Sequence, residues 1–310
     1  MPSVWCVVAV FNPGDDAVRV VEAACSQCDE VVIVDDGSDN IDVHILRLFE
    51  AAGASVMHHD SNRGIAAALN TGVRAAMGAG ADAILFLDQD SSPGTGFVEK
   101  LLEASDRATQ RGRRVGSVVP ERFAGLSQAS TQVDGVLEAR RGIQSGMLAW
   151  VAALDDVGVL REDFFIDLVD VEFELRLRAR GWSAIAAPGL TLPHKLGADY
   201  VRTSWHPMMR YVGLTPVVTL SRPFRYYYRS RNRVILNGIH GWRNPLSAAK
   251  ETLADVIHFV DVVMLSTDRA AMRKVICRGV SDGLRKRTGR IPASTEAIAA
   301  NIGWRAVPRD

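Results

Sequence analysis

Asp88-Gln89-Asp90 is the segment whose residue types and spacing most directly imply chemistry. It follows the wholly apolar run Ala83–Leu87, so two carboxylates one residue apart leave the end of a buried strand together. Such a pair can hold a hard divalent cation and, through it, a diphosphate. The same residues also suit a plain polar turn in which Asp caps a helix. A second acidic pair, Asp35-Asp36, ends the run Glu30–Val34 and continues into Gly37-Ser38. One of its carboxylates could accept a pyrimidine N3–H or a ribose hydroxyl; the alternative is a turn plus helix cap. Near the C-terminus, Arg229, Arg231, Asn232 and Arg233 follow Tyr226–Tyr228. They read either as a solvated helix face beside an aromatic core or as groups that close over a diphosphate.

These groups need elements to position them, and the first half of the chain alternates strand and helix. Strands are predicted at Trp5–Phe11, Glu30–Val34, Ala54–His59, Ala83–Leu87 and Val115–Val119, and helices at Asp15–Gln27, Asp42–Ala52, Gly64–Met77 and Phe97–Gln110. Apolar strands separated by helices predict a mostly parallel sheet covered on both faces, an α/β architecture. In such sheets ligands bind outside the C-terminal strand ends. Asn12, Asp35-Asp36 and Asp88-Gln89-Asp90 all sit at those ends, so three polar clusters should converge on one crevice. The middle is mixed: a hairpin at Thr131–Arg140 around Asp134-Gly135, an apolar run at Met147–Leu154, a helix at Val171–Arg180 with Asp170 at its N-terminal edge, and a strand at Ser183–Ala187. From Pro207 onward the pattern is helical, over about 207–220, 223–237, 245–265 and 268–286.

Composition sets the outer limits. The 310 residues carry 36 Lys+Arg and 36 Asp+Glu, with 47% hydrophobic residues. This is a globular mixture, and zero net charge argues against a general nucleic-acid binder. The balance hides an asymmetry. Residues 1–200 hold 17 basic and 29 acidic side chains, whereas 201–310 hold 19 and 7. A basic tail on an acidic body implies an anionic partner for the tail. Its final run, Arg285-Lys286-Arg287 with Arg290, could lie on an anionic membrane surface or simply face solvent. Val4–Phe11 is too short and lacks the basic flank of a signal peptide, and Leu253–Leu265 is interrupted by Asp255, His258 and Asp261. The expected location is therefore cytoplasmic, soluble or peripheral on the inner membrane face. Cys25 and Cys28 form a CxxC with no second pair to complete a zinc site, so the four cysteines read as ordinary buried thiols.

Taken together, the segments VVAVFN, VVIVDDGS, NRGIAAALNTG, FLDQDS, SGMLAWVAALDDVG, FFIDLVDVEFELRLRARGW and LPHKLG resemble glycosyltransferase family 2, the inverting GT-A enzymes, in order and spacing. FLDQDS, HKLG, YYYRSRNRVIL and GVSDGLRKRTGR look most like the bacterial rhamnosyltransferase branch. The resemblance implies a GT-A catalytic domain over 1–205, with a donor half to about 120 and an acceptor half beyond it. A helical basic extension would follow over 206–310. It implies that Phe11, Asn12, Asp35, Asp36, Arg63, Gly64, Asp88 and Gln89 line the site of a nucleoside diphosphate sugar, dTDP-L-rhamnose in this branch. Asp88, Asp90 and His194 would hold Mg²⁺ or Mn²⁺. Asp170 would be the base, although Val169 stands where the family has Glu, so Asp167 and Glu172 are alternates. Ser145, Gly146, Arg231 and Asn232 would face acceptor or diphosphate. The implied reaction is a single displacement with inversion onto a hydroxyl of a glycan or polyprenyl-linked acceptor, in cell-envelope polysaccharide synthesis. Oligomerisation stays open.

Two rivals differ in class. A haloacid-dehalogenase-type phosphatase also places Asp-x-Asp after an apolar strand, but on its first strand, and Ser92 stands here where that motif expects Thr or Val. A non-catalytic nucleotide-sugar binder would keep the pocket but need no base.

Overall fold

The computed structural model describes residues 1–39, 42–140, 142–194, 198–201 and 217–308. The chain divides into two compact units: Met1–Phe165 with Val169–His194, and Ile166–Leu168 with Lys195–Asp310.

The first unit opens with β1 (Val4–Val10), α1 (Asp15–Cys25), β2 (Glu30–Asp35), α2 (Val43–Ala51), β3 (Ser55–His58), α3 (Ile65–Gly78), β4 (Ala83–Asp88) and α4 (Phe97–Gln110). The strands lie in the order β3-β2-β1-β4, all parallel. Their sequences explain why: Cys6–Val8 and Ala83–Leu87 have essentially no exposure, as strands covered on both faces require. The Ala-rich helix α3 packs close to β1, where a methyl group at Gly72 would lie 2.5 Å from Val7 Cγ1. Beyond β4 the sheet becomes mixed. β9 (Leu148–Trp150) runs antiparallel between β4 and β5 (Val115–Phe123), and β10 (Ser183–Leu192) is parallel to β5. The edge is the hairpin of β7 (Ala129–Val133) and β8 (Val136–Ala139), with β6 (Leu126–Ser127) folded back on β5. As expected, the hairpin turns at Asp134-Gly135, both at positive φ (51° and 73°). The run Met147–Leu154 splits into β9 and α5 (Val151–Val157), and α6 (Val169–Ala179) precedes β10.

Register does the positioning. In the parallel ladder Asp35 lies opposite Val10, and Asp88 lies opposite Ala9. Both acidic clusters therefore leave the sheet at the same edge as the β1 exit.

The second unit contains β11 (Ala198–Val201), β12 (Val217–Leu220), α7 (Arg225–His240), α8 (Pro245–Leu265), α9 (Arg269–Leu284), α10 (Ala293–Ala300) and β13 (Val307–Pro308). The strands form a small antiparallel sheet, β12-β11-β13. The helix expected at 207–220 mostly lies outside the described residues. Its last four residues form a strand instead, because Val217-Val218-Thr219 is a β-branched run that suits a pleated ladder better than a helix. The α8 bounds follow from Asn244, which caps Ser247 N–H, and from Pro245 at the first turn; Asp268 caps α9. Helix α10, which starts after Pro292, was not anticipated.

The Tyr-Arg run of α7 is interior rather than solvated. Tyr226, Tyr227 and Tyr228 are buried, and their hydroxyls bond to Ser221 N–H, the Asp282 carboxylate and Ile291 N–H. Burial pushes the Tyr228 phenol up to about 12. Arg229 and Arg233 converge on the buried Asp255. The cysteine expectation needs correction too: only Cys6 is buried, Cys25 and Cys28 are half-buried, and Cys277 is exposed.

Candidate active site

The β1 exit is built by side chains from neighbouring strand ends. Gln89 Oε1 accepts the Phe11 N–H at 2.8 Å, and Ser38 Oγ accepts the Asn12 N–H at 2.7 Å. Asn12 takes a positive φ of 48°, a conformation that Asn tolerates better than most side chains. Phe11 is partly exposed beside this turn.

Asp36 is a strut. Its Oδ1 bonds to His59 Nδ1 (2.8 Å) and accepts Arg63 N–H (2.9 Å), while Oδ2 accepts Gly64 N–H (2.8 Å). His59 Nε2 in turn meets Thr71 Oγ1 at 2.9 Å. Asp35 closes its own turn onto Ser38 and lies 3.3 Å from His58 Nδ1. Both carboxylates are 4% exposed, so of the two roles open in the sequence the turn-forming one is what their bonds fulfil. The consequence is a fixed start to α3. Gly64, at φ 93°, presents its backbone there, and Arg63 extends a half-exposed guanidinium 3.9 Å from Glu162.

Asp88, Asp90 and His194 each offer a ligand atom, all within 4.8 Å of one another. His194 Nδ1 lies 3.3 Å from Asp90 Oδ1 and 2.8 Å from Ser91 Oγ, and its ring stacks on Phe123 at 4.7 Å. The hydrogen bond and charge of His194 hold the Asp90 carboxyl below the usual range, against a smaller opposing effect of burial. Ser145 Oγ accepts the Asp88 N–H at 3.0 Å, and Gly146 N–H bonds to Phe86 O at 2.7 Å. Ser145 is fully buried, so this pair braces the β4 end from behind; the expectation that it faces acceptor or diphosphate is corrected on burial.

The three candidate bases separate clearly. Glu172 is 1% exposed and paired with Arg176 at 2.7 Å. Asp167, in the second unit, is held by Arg225 through two contacts of 3.2 and 2.6 Å. Asp170 sits half-buried in the first turn of α6, its Oδ1 accepting Val171 N–H at 2.8 Å, where the helix N-terminus favours the anion.

Arg231 and Asn232 need a second correction. Both are 0% exposed in the second unit. Arg231 bonds to Gly289 O, and Asn232 Nδ2 donates to Ile166 O (2.9 Å) and Asp167 O (2.8 Å). Their polarity serves the interior and the Ile166–Leu168 segment. Asp167 and Leu168 there adopt φ values of 67° and 62°, each costing about 1–3 kcal/mol that the surrounding bonds must offset.

Sequence reasoning missed several supports. Asn70, fully buried, bonds to both Leu160 O (2.7 Å) and Leu160 N–H (2.9 Å). Glu162 accepts from Asn70 and Arg74; burial raises its pKa, but these bonds outweigh that and lower it. Together they anchor the loop that leads to Phe165. An Asn inside the Ala-Leu face of α3 was the available signal.

Comparison with known proteins fits this geometry. Over 93% of its length the chain is 24% identical to the dTDP-rhamnosyl transferase RfbF of Shigella flexneri, covering 97% of that protein. Over 111 residues it is 32% identical to the succinoglycan biosynthesis protein ExoO of Rhizobium meliloti (strain 1021), spanning 35% of this chain and 31% of that one. The fold matches S. aureus TarS 1-349 in complex with UDP-GlcNAc with a TM-score of 0.54 at 13% identity, over 96% of this chain and 83% of that one. It matches GalNAc-T7 with UDP, GalNAc and Mn²⁺ at 0.53 and 13% identity, over 77% and 48%. Residues 5–119 match the family described as Glycosyl transferase family 2. The parallel strand order and the acidic strand ends lie within or beside this matched segment, and over residues 5–119 the chain is similar to glycosyl transferase family 2.

Proposed function

We propose that this chain is an inverting rhamnosyltransferase, moving L-rhamnose from dTDP-L-rhamnose to a hydroxyl of a glycan or polyprenyl-linked acceptor in cell-envelope polysaccharide synthesis. The observation that carries the reading is the Asp88–Asp90–His194 group at the sheet edge shared with the β1 and β2 exits. The name of the Shigella relative supports the donor.

Two carboxylates and an imidazole within 4.8 Å fit a divalent ion, and Mg²⁺ or Mn²⁺ held by them supplies charge that offsets the leaving diphosphate. The Phe11–Asn12 backbone, fixed by Gln89 and Ser38, flanks the nucleoside. Asp35 and Asp36 shape that pocket, Asp36 by holding the Arg63 and Gly64 N–H groups at the start of α3 so that the half-exposed Arg63 side chain reaches the phosphates. Asp170 takes the proton of the acceptor hydroxyl. The oxygen attacks sugar C1 opposite the departing diphosphate, and one displacement inverts the centre.

A thermal-shift series with dTDP-L-rhamnose and UDP-hexoses, with and without Mn²⁺, followed by mass spectrometry of acceptor products, tests the reading. A metal-dependent shift greatest with dTDP-L-rhamnose is expected. The absence of a shift with every nucleotide sugar would refute the donor-site assignment.

A further inference from the structure

We propose that the outward face of α8, with the basic surface around it, is a docking surface for an anionic lipid bilayer. Past residue 252, every exposed position of this helix is apolar: Leu253, Ala254, Val256, Ile257, Val260 and Met264. They recur at helical spacing and form one stripe. Val256, Ile257, Val260 and Met264 are each about half exposed, at 50, 48, 59 and 52%. Leu246 (84%) extends the stripe at its N-terminal end, and Trp242 (71%) is exposed in the turn that precedes the helix. Among the described residues nothing covers it, and a run of this length exceeds the scattered apolar exposure normal for a soluble surface.

Charge selects the occupant. Between residues 241 and 290, ten Lys and Arg side chains are exposed against a single exposed acid, Asp268. Asp255 and Asp282 are buried, paired with Arg229 and Arg233 and with Arg278. Two copies meeting through this face would bring like charges together. An anionic bilayer accepts both features at once: apolar side chains enter the acyl boundary, Trp242 suits the headgroup level, and long basic side chains reach the phosphates. No described helix is long and apolar enough to cross a membrane, so α8 would lie in the interface plane.

The proposal rests on the glycosyl-transfer reading only for the reason a bilayer should be near, since a polyprenyl-linked acceptor resides there. Binding is measured without donor or acceptor, so failure of either idea leaves the other standing. The full chain is floated with phosphatidylcholine vesicles, with and without phosphatidylglycerol. Binding to the anionic vesicles is expected, weakening as salt rises. Leu253→Ser/Ile257→Ser/Val260→Ser should lose at least about tenfold in partitioning with an unchanged melting temperature, as should Arg273→Glu/Lys274→Glu. Should the serine variant fold poorly, quenching of the wild-type chain by brominated acyl chains gives a second readout, and Trp242→Phe should reduce it. Three results would overturn the proposal: no vesicle binding by the full chain, wild-type binding by the folded serine variant, or a solution dimer that this variant splits.

Discussion

Gly64 lies directly beneath Phe165: a methyl group added to Gly64 would sit 2.6 Å from the Phe165 carbonyl oxygen and 2.8 Å from its α-carbon. The contact is backbone against backbone, so no rotamer change relieves it. Gly64→Ala also meets a φ of 93°. It should destabilise the fold by about 2 kcal/mol or more and weaken nucleotide binding, read by urea unfolding and by loss of the nucleotide-induced thermal shift.

Asp90 is half exposed, so Asp90→Ala should leave stability within about 0.5 kcal/mol. The variant should lose transfer and the Mn²⁺-dependent part of donor binding. Full activity of Asp90→Ala in chelator would remove Asp88, Asp90 and His194 as the metal group.

Asp170→Asn should keep donor binding and lose transfer by at least about 10²-fold. Glu172→Gln should behave differently, costing about 1–3 kcal/mol of stability because Arg176 loses its charged partner. Single-turnover rates compared with melting curves separate the two. If Asp170→Asn transfers normally while Asp167→Asn does not, the assignment of the base moves to Asp167.

Asn232→Ala leaves the Ile166 and Asp167 carbonyls without the donor that bridges them. A loss of about 2 kcal/mol is expected, with faster hydrogen exchange at residues 166–168. Unchanged exchange there would show that the left-handed turns at Asp167 and Leu168 persist without Asn232.

Burial pushes the Asp282 carboxyl up, but hydrogen bonds from Arg278 and Tyr227 and the charges of Arg278 and Arg287 outweigh it and leave the group below its ordinary range. A lowered folded value contributes stability that is present above the unfolded pKa of about 4 and is lost as pH falls through the folded one. Wild-type protein should therefore be more stable than Asp282→Asn at pH 7, with the gap narrowing below about pH 4 in urea melts.

The strand ends were legible because both requirements, an apolar run and an abrupt acidic stop, are local. Asp35 and Asp88 fall beside Val10 and Ala9 through parallel pairing alone. Pro245 and Asp268 marked helix starts for the same reason. Val217–Leu220 misled because four residues carry too little periodicity to separate strand from helix, and the partner that decides, Ala198–Val201, is distant in sequence. Arg231 and Asn232 misled because polar type does not encode depth. A guanidinium read as a surface group is instead buried against carbonyls and tyrosine rings.

For three residues, Ile166 to Leu168, the chain leaves the sheet-bearing unit, joins the helical one and returns. That excursion makes the C-terminal region a poor candidate for exchange between relatives. A chimera joined near residue 205 would inherit one parent's Asp167 and another's Arg225 and Asn232, and would match only where both sides of that grip co-vary. Deletion series designed to find a minimal transferase should accordingly keep the chain through α7. A shorter chain would lose the partners of the residues that immediately precede Val169-Asp170, even with every strand of the sheet intact.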